Sequence, residues 1–301
     1  MTCLLKHGDF HHRQLSFSQR IYNMINKIYT LYAFFPKMYN SQNALFKRMV
    51  REDFPDLRHL AQQASVAFVN TLPNIGIARP ISSKIVFIGG IVKKQVTVME
   101  KRFTDLYENA RKGVVVFSLG SLVDTVKMPK QMKNDVSLAF SRFPDYDFVV
   151  KLTVSDEERE KFASSYPNVH FFDWIDQVNI LHHPKTKAFI THAGLNSLTE
   201  AAFAGTPLIC VPMFADQHYN TAISLRKKTG VYLNKKHIDA ETMIEALQEV
   251  LSDPRPVCSP QKKTHFEGQT VHGKHSSSRT QNISSRTEKL SIIFQYSLID
   301  Y

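Results

Sequence analysis

Six short apolar runs, most of them separated by segments with helical spacing, constrain the fold of this chain more than any other feature. Nearly continuous apolar strands that alternate with helices are what a parallel sheet covered on both faces requires. The pattern therefore predicts an α/β fold, with a doubly wound, Rossmann-like parallel sheet over residues 92–254. In chain order the runs read GVVVFS, DFVVKLT, NVHFF, KAFIT, PLICVP and GVYL.

The first 91 residues show a different pattern and are predicted to form a separate unit. Apolar and aromatic residues with helical spacing predict two helices between residues 14 and 51, with a break at the Phe-Phe-Pro sequence that ends at Pro36. Two β-rich runs, SVAFVN at 65–70 and KIVFIG at 84–89, predict a pair of strands that close this unit.

Residues 255–301 are predicted to form a disordered basic tail. They are rich in Ser, Thr, Lys, Arg, Gln and His, and they contain scarcely any apolar residue before the run SIIF. Such a composition cannot bury enough apolar surface to fold by itself.

The charge of the chain favours anionic partners. The net charge is +11 and the pI is about 9.5. Charge alone does not choose between phosphates, nucleic acid and anionic lipid. The basic residues do not interleave with aromatic residues along a recognisable surface, so nucleic acid is not expected as a partner.

The cysteines and the apolar runs argue against a disulfide-rich, zinc-binding, secreted or membrane-spanning protein. The three cysteines show no disulfide or zinc spacing, no metal site is expected, and Cys210 is predicted to lie in the core. The N-terminus lacks the apolar run of a secretory signal, and no stretch approaches the ~20 apolar residues that span a bilayer. Taken literally, the chain is expected to be soluble.

The strand KAFIT runs directly into HAGLNSLTEAAFAG, which reads as a strand, a tight glycine turn and the start of a helix. Unpaired backbone N–H groups at a helix N-terminus bind phosphate without a cationic side chain, so Gly194, Asn196 and Ser197 are candidate donors. His192 lies at the carboxyl end of the strand, where it can donate to a phosphate oxygen. Glu200, one helical turn after Asn196, lies on the same face and is able to accept from ribose hydroxyls.

Residues on either side of this turn complete a candidate site. Trp174 follows the strand NVHFF and presents a flat ring on which a base could stack, although tryptophan is more often a core residue. Asp216 and Gln217 follow the strand PLICVP, and an adjacent carboxylate and amide suit sugar hydroxyls. A helix cap at Asp216 is an equally good interpretation of that residue.

The run from FFDWIDQ through HAGLNSLTEAAFAG to MFADQHYN resembles the donor-binding signature of UDP-glycosyltransferases, including animal glucuronosyltransferases. FSLGS at 117–121 resembles the glycine-serine turn that opens the donor domain of that family. The resemblance covers residues 14–254 and implies a GT-B-like fold, with residues 1–91 as a remnant of the acceptor-binding domain.

The resemblance also implies roles for individual residues. Trp174 is expected to stack on uracil, and Gln177 and Glu200 to hold the ribose. The diphosphate is expected to contact His192, Gly194, Asn196, Ser197 and Ser121, and the transferred sugar to contact Asp216 and Gln217. Asp176 departs from the family, which usually has proline in a Trp-x-Pro-Gln turn; losing the ring is expected to loosen Trp174 without abolishing stacking.

The implied reaction is transfer of a hexosyl group, glucuronosyl by preference, from a UDP-sugar to a small lipophilic acceptor. It proceeds with inversion and needs no metal or other cofactor. The histidine base of the family is expected before the point where the resemblance begins, so this chain is expected to bind UDP-sugar with little or no turnover. Relatives act at the endoplasmic reticulum membrane and lumen, whereas a signal peptide and a membrane anchor are not expected in this chain.

Two other interpretations stay open. The sequence can be an incomplete record of a longer, active membrane enzyme. Alternatively, the chain can be a non-catalytic partner that forms homo- or hetero-oligomers with family members and modulates them, because a remnant domain exposes apolar surface.

Overall fold

A six-stranded parallel sheet organises the protein, whose computed structural model describes residues 16–71, 76, 80–89, 97–121, 123 and 125–252. All its neighbouring strands are parallel, which confirms the predicted α/β fold. The strands are β3 (Gly113–Ser118), β4 (Tyr146–Lys151), β5 (Val169–Phe172), β6 (Thr186–Thr191), β7 (Leu208–Cys210) and β8 (Gly230–Tyr232).

The order of these strands creates a topological switch point. The order is β5-β4-β3-β6-β7-β8, so the chain winds outward from β3 in one direction and returns to β6 to wind in the other. Ser118 at the end of β3 pairs in register with Thr191 at the end of β6. Ligands of open α/β sheets bind outside the carboxyl ends of the strands at such a point.

Helices cover both faces of the sheet because alternate residues along each strand point to opposite sides. Val115 and Phe117 of β3 belong to one apolar cluster, and Val114 and Val116 belong to the other. The helices are α4 (Lys101–Asn109), α5 (Lys130–Ser141), α6 (Asp156–Ser165), α7 (Gln177–His182), α8 (Leu195–Ala204), α9 (Gln217–Arg226) and α10 (Ala240–Ser252). Cys210 is fully buried, as predicted, and burial raises the pKa of its thiol to about 12.

The described residues before residue 90 contain three α-helices, a π-helical turn and a small parallel strand pair. The elements are α1 (Phe17–Tyr29), a π-helical turn (Thr30–Phe34), α2 (Phe35–Met49), α3 (Leu57–Gln63), β1 (Ala67–Val69) and β2 (Ile85–Phe87). α1 begins with a capping box in which Ser16 and Gln19 bond reciprocally. The predicted break at Pro36 is wrong: the backbone stays helical from α1 through the π-helical turn into α2, and the regular α-helical hydrogen bonding is interrupted in the π-helical turn that ends just before Phe35 and Pro36.

The predicted domain boundaries stay predictions. The boundary between residues 91 and 92 and the proposed tail at 255–301 both lie outside the described residues. Within the described residues, no helix combines the length and the apolar character needed to cross a bilayer.

Candidate functional site

Two loops meet at the switch point and enclose one histidine ring. Gly120 follows β3, and His192 follows β6. A Cβ atom added to Gly120 would lie 2.5 Å from Cε1 of His192, and one added to Gly194 would lie 2.5 Å from Nε2. Gly120 also has a φ of +81°, which L side chains rarely adopt. The imidazole therefore fits only because both of its neighbours are glycines.

The surroundings of His192 favour its neutral form. Burial lowers the pKa of the imidazole; the Asp216 carboxylate opposes this shift and the Lys151 ammonium adds to it. The Nδ1 atom is buried and has no hydrogen-bond partner within the described part of the chain. Because a buried N–H without an acceptor is costly, the proton of the neutral ring is better placed on Nε2, the nitrogen beside Gly194. His192 then acts as a hydrogen-bond donor.

The turn between β6 and α8 supplies backbone donors. α8 begins at Leu195 with Gly194 as its N-cap residue, which has no side chain to satisfy the first N–H groups. Such groups carry roughly half a positive charge and bind anions. Asn196 and Ser197 lie in this first turn, as the sequence predicts, and Ser197 is buried. The geometry suits a phosphate group.

The backbone of this turn is strained at Ala193. Its φ is 63°, a left-handed conformation that costs a residue with a side chain about 1–3 kcal/mol. The N–H of Ala193 donates to Oγ1 of Thr191 at 3.3 Å, and its carbonyl oxygen accepts from Nδ2 of Asn220 at 3.0 Å. These bonds hold the peptide in the conformation that directs the chain into α8.

Three predicted residues form a hydrogen-bonded cluster beside the turn. Nε2 of Gln177 donates to Oε2 of Glu200 at 2.5 Å and to Oγ of Ser197 at 3.3 Å. The cluster joins the first residue of α7 to α8. An amide and a carboxylate side by side are able to bind a pair of hydroxyl groups.

Trp174 lies in the loop after β5 and is 65% exposed, so it is not a core residue. Nζ of Lys151, the last residue of β4, lies 4.2 Å from the centroid of the indole ring. Partial burial lowers the pKa of this ammonium group. The loop therefore offers an exposed stacking surface with a cation beside it.

Asp216 and Gln217 lie at the start of α9 and differ in exposure. Oδ2 of Asp216, which is half-buried, accepts from Nδ2 of Asn220 at 3.0 Å, and the side chain of Asp216 does not cap the helix. Gln217 is buried, and its Oε1 accepts from the backbone N–H groups of Met213 and Phe214 at 2.7 and 3.0 Å. The amide oxygen of Gln217 thus holds the loop after β7. A contact of either residue with a sugar stays a prediction.

The sequence matches the family described as UDP-glucoronosyl and UDP-glucosyl transferase over residues 7–257. The chain belongs to this family. It is 32% identical over 249 residues to UDP-glucuronosyltransferase 3A1 of Bos taurus, a match that covers 80% of this chain and 46% of the relative. It is 30% identical over 243 residues to UDP-glucuronosyltransferase 2B14 of Oryctolagus cuniculus, covering 80% and 44%. The chain thus spans about half the length of the curated relatives it matches.

A solved structure supports the fold of this UDP-glycosyltransferase family member. The crystal structure of the glycotransferase of kitacinnamycin superposes with a TM-score of 0.60 at 19% sequence identity. The likeness covers 80% of this chain and 60% of that chain. It agrees with the GT-B-like fold that the sequence predicts.

Side-chain hydrogen bonds hold the turn at Asp176, the position at which the sequence resemblance predicts a proline. Its φ of −79° lies within the range that a proline ring imposes. Oδ2 of Asp176 accepts from Nδ2 of the buried Asn179 at 2.8 Å. Asn179 in turn exchanges two hydrogen bonds of 2.8 Å with Thr97. These hydrogen bonds therefore stabilise, at Asp176, a backbone φ angle that a proline ring would impose covalently.

The structure brings the predicted residues to one edge of the sheet, at the carboxyl ends of β3, β5, β6 and β7. Ser121 is exposed in the loop next to Gly120. Sequence reasoning missed Lys151 and Asn220. A cation at the end of the apolar run DFVVKLT was a signal for Lys151, and the spacing of four residues from Asp216 was a signal for Asn220.

Proposed function

We propose that the carboxyl edge of the sheet binds the uridine diphosphate part of a UDP-sugar. The observation that carries this proposal is the presence along the carboxyl edge of the sheet of a neutral histidine donor, an uncapped helix N-terminus, an exposed indole and an amide-carboxylate pair. These four features match the four chemical parts of the ligand's nucleotide: two phosphates, a base and a ribose.

Each part of the ligand has proposed contacts. Uracil stacks on Trp174, and the ribose hydroxyls bind Gln177 and Glu200. The diphosphate accepts from His192, Ser121 and the turn formed by Gly194, Asn196 and Ser197. The sugar reaches Asp216 and Gln217, the latter through the part of its amide that does not hold the loop after β7.

For the complete protein we propose transfer of a hexosyl group, glucuronosyl by preference, to a small lipophilic acceptor at the endoplasmic reticulum. The donors at His192 and at the start of α8 stabilise the charge that develops on the departing diphosphate, and no metal is needed. The acceptor hydroxyl requires a base. His170 and Asp147 form a pair at 2.9 Å, but Asp147 lies at the amino-terminal end of β4, away from this edge. For the chain alone we propose donor binding with little or no turnover.

The test is calorimetric titration of the purified chain with UDP. Replacing Trp174 by Ala is expected to weaken UDP binding roughly 5- to 150-fold, because stacking of a base on an aromatic side chain contributes about 1–3 kcal/mol. Trp174→Phe is expected to retain most of the affinity. Leu138→Ala, an exposed apolar substitution on α5, is the matched control and should leave binding unchanged.

Two outcomes would contradict the proposal. A chain that is folded by circular dichroism but does not bind UDP, or equal affinities for the wild type and Trp174→Ala, would remove the site assignment. Turnover is tested separately with radiolabelled UDP-glucuronate and a phenolic acceptor. Robust transfer by the chain alone would show that it contains its own base.

A further inference from the structure

The loop that carries Trp174, residues 173–176, is held by a segment that lies far from it in sequence. This segment comprises residues 97–103, which lead into α4 and form its first turn. It contacts the chain on both sides of the loop, at Phe172, the last residue of β5, and at Asn179 in α7. Both ends of the loop are therefore anchored to the same segment.

Asn179 joins the segment to the loop through hydrogen bonds that use every polar group of its side chain. The residue is only 3% exposed. Its Oδ1 accepts from the backbone N–H of Thr97, and its Nδ2 donates to Oγ1 of Thr97 and to Oδ2 of Asp176, each at 2.8 Å. Because both nitrogen and oxygen have partners, turning this side chain away would break all of these bonds at once. The amide group thus fixes the distance between Thr97 and Asp176.

Apolar packing holds the other end of the loop. The rings of Phe103 and Phe172 pack with centroids 4.7 Å apart, and the guanidinium carbon of Arg102 lies 5.5 Å from the centroid of Phe172. Phe103 is fully buried, and Ile175, inside the loop, belongs to the same apolar cluster. Ile175 therefore faces the core, whereas its neighbour Trp174 faces outward.

We propose that Thr97 and Asn179 are positioning residues of the nucleotide site, which act by fixing the backbone that carries Trp174. This inference rests on the proposed function, since it assigns a role within that site. An exposed ring gains little from packing, so its direction depends on how firmly the loop is held. A loop that also adopts other conformations binds with an affinity reduced by the fraction of molecules in the competent one. By linkage, UDP must in turn stabilise the segment 97–103.

A purely structural role for the same contacts is the competing interpretation. A buried, hydrogen-bonded amide stabilises the fold wherever it lies, and its removal lowers the free energy of unfolding. Such a loss does not by itself change the affinity of a folded chain for UDP. The two interpretations therefore differ in whether binding changes and in whether that change requires the indole of Trp174.

The first measurement is calorimetric titration of the full chain with UDP. Thr97→Val removes one hydroxyl and leaves the backbone N–H in place, and it is expected to raise the dissociation constant roughly 3- to 10-fold. Asn179→Ala removes all of the bonds described above and is expected to raise it by at least about tenfold. Thr242→Val is the matched control, because it removes a threonine hydroxyl that donates to the carbonyl oxygen of His237 in the first turn of α10. This control should leave the affinity unchanged.

A double-mutant cycle tests whether the effect passes through Trp174. In the Trp174→Ala background, Thr97→Val is expected to change the affinity by less than about twofold, because the ring that the contact positions is absent. Hydrogen exchange gives a second measurement. Saturating UDP is expected to slow exchange of the Thr97 amide at least about threefold in the wild type. Without UDP, Thr97→Val is expected to speed exchange of residues 173–177.

An unchanged affinity in Thr97→Val and Asn179→Ala, both folded by circular dichroism, would overturn the proposal. If Asn179→Ala does not fold, Thr97→Val decides alone. An equal loss in Thr242→Val, or an equal effect of Thr97→Val with and without the indole, would also overturn it. If the wild type does not bind UDP, the proposed function fails. The exchange rates of residues 173–177 in Thr97→Val then decide separately whether the segment holds the loop.

Discussion

At the residue scale, the position of His192 depends on two glycines, Gly120 and Gly194, because a Cβ atom at either position would clash with its ring. The sequence predicts Gly194 as a place where a ligand approaches the backbone. The structure adds that the ring of His192 occupies the space beside Gly194, and that Gly120 from another loop bounds it on the other side. No local pattern indicates this second contact, because the residues that make it are distant in sequence.

Gly194→Ala tests this contact. The backbone of Gly194, with φ −62° and ψ 147°, accepts alanine, so the cost comes from the added Cβ pressing on the imidazole. We expect a loss of about 1–3 kcal/mol in the free energy of unfolding, measured by urea denaturation, and weaker UDP binding. Gly76→Ala is the matched control, since a Cβ at Gly76 has no atom within 4 Å. Equal unfolding free energies and equal UDP affinities of the two variants would show that the missing Cβ of Gly194 is not needed to accommodate the His192 ring.

At the element scale, the strands and helices follow the hydrophobic pattern closely, but their ends do not. All six predicted apolar runs are strands, and the run 207–212 is shortened to β7, Leu208–Cys210. The break predicted at Pro36 is wrong because the π-helical turn before the proline takes up the interruption in hydrogen bonding while the backbone stays helical. The ends of helices and strands depend on capping residues and on neighbouring elements, and the hydrophobic period of the sequence carries no information about either.

The start of α7 offers a test at this scale. Asp176→Ala removes the carboxylate that accepts from Asn179, which is expected to cost about 1 kcal/mol of stability and to weaken UDP binding through a more mobile Trp174. Asp176→Asn, which keeps an acceptor oxygen, is expected to stay close to the wild type. The measurements are urea denaturation and hydrogen exchange of residues 173–177. If Ala and Asn behave alike, the hydrogen bond does not hold the turn.

At the scale of the whole molecule, two half-buried histidines link stability to pH. Burial lowers the pKa of His192 and of His183 below the usual value, and the Lys185 ammonium adds to the shift at His183. The unfolded chain therefore binds protons that the folded chain excludes as the pH falls below about 6.5. The stabilisation is complete at neutral pH and is lost as the medium becomes acidic.

Urea denaturation at pH 7.5, 6.5 and 5.5 measures this link. We expect the free energy of unfolding to change little between the first two values and to fall between the last two, by at most roughly 1.4 kcal/mol per pH unit from His192. His192→Gln should reduce the change of the free energy of unfolding with pH, whereas His59→Gln, at an exposed position on α3, should not. A slope that is equal in the wild type and in His192→Gln would contradict the assignment.

By itself the sequence determined the α/β class, the strands and helices of the sheet, and the strand, turn and helix start around His192 on which the proposed phosphate site depends. These properties depend on local spacing along the chain, which hydrophobic period and helix-terminus chemistry report directly. Only the tertiary structure decided that Gly120 encloses His192, that Gln177 bonds to Glu200, and that Lys151 lies beside Trp174. Those pairs come from strands that packing sets side by side, and a one-dimensional pattern does not contain the order of strands in a sheet.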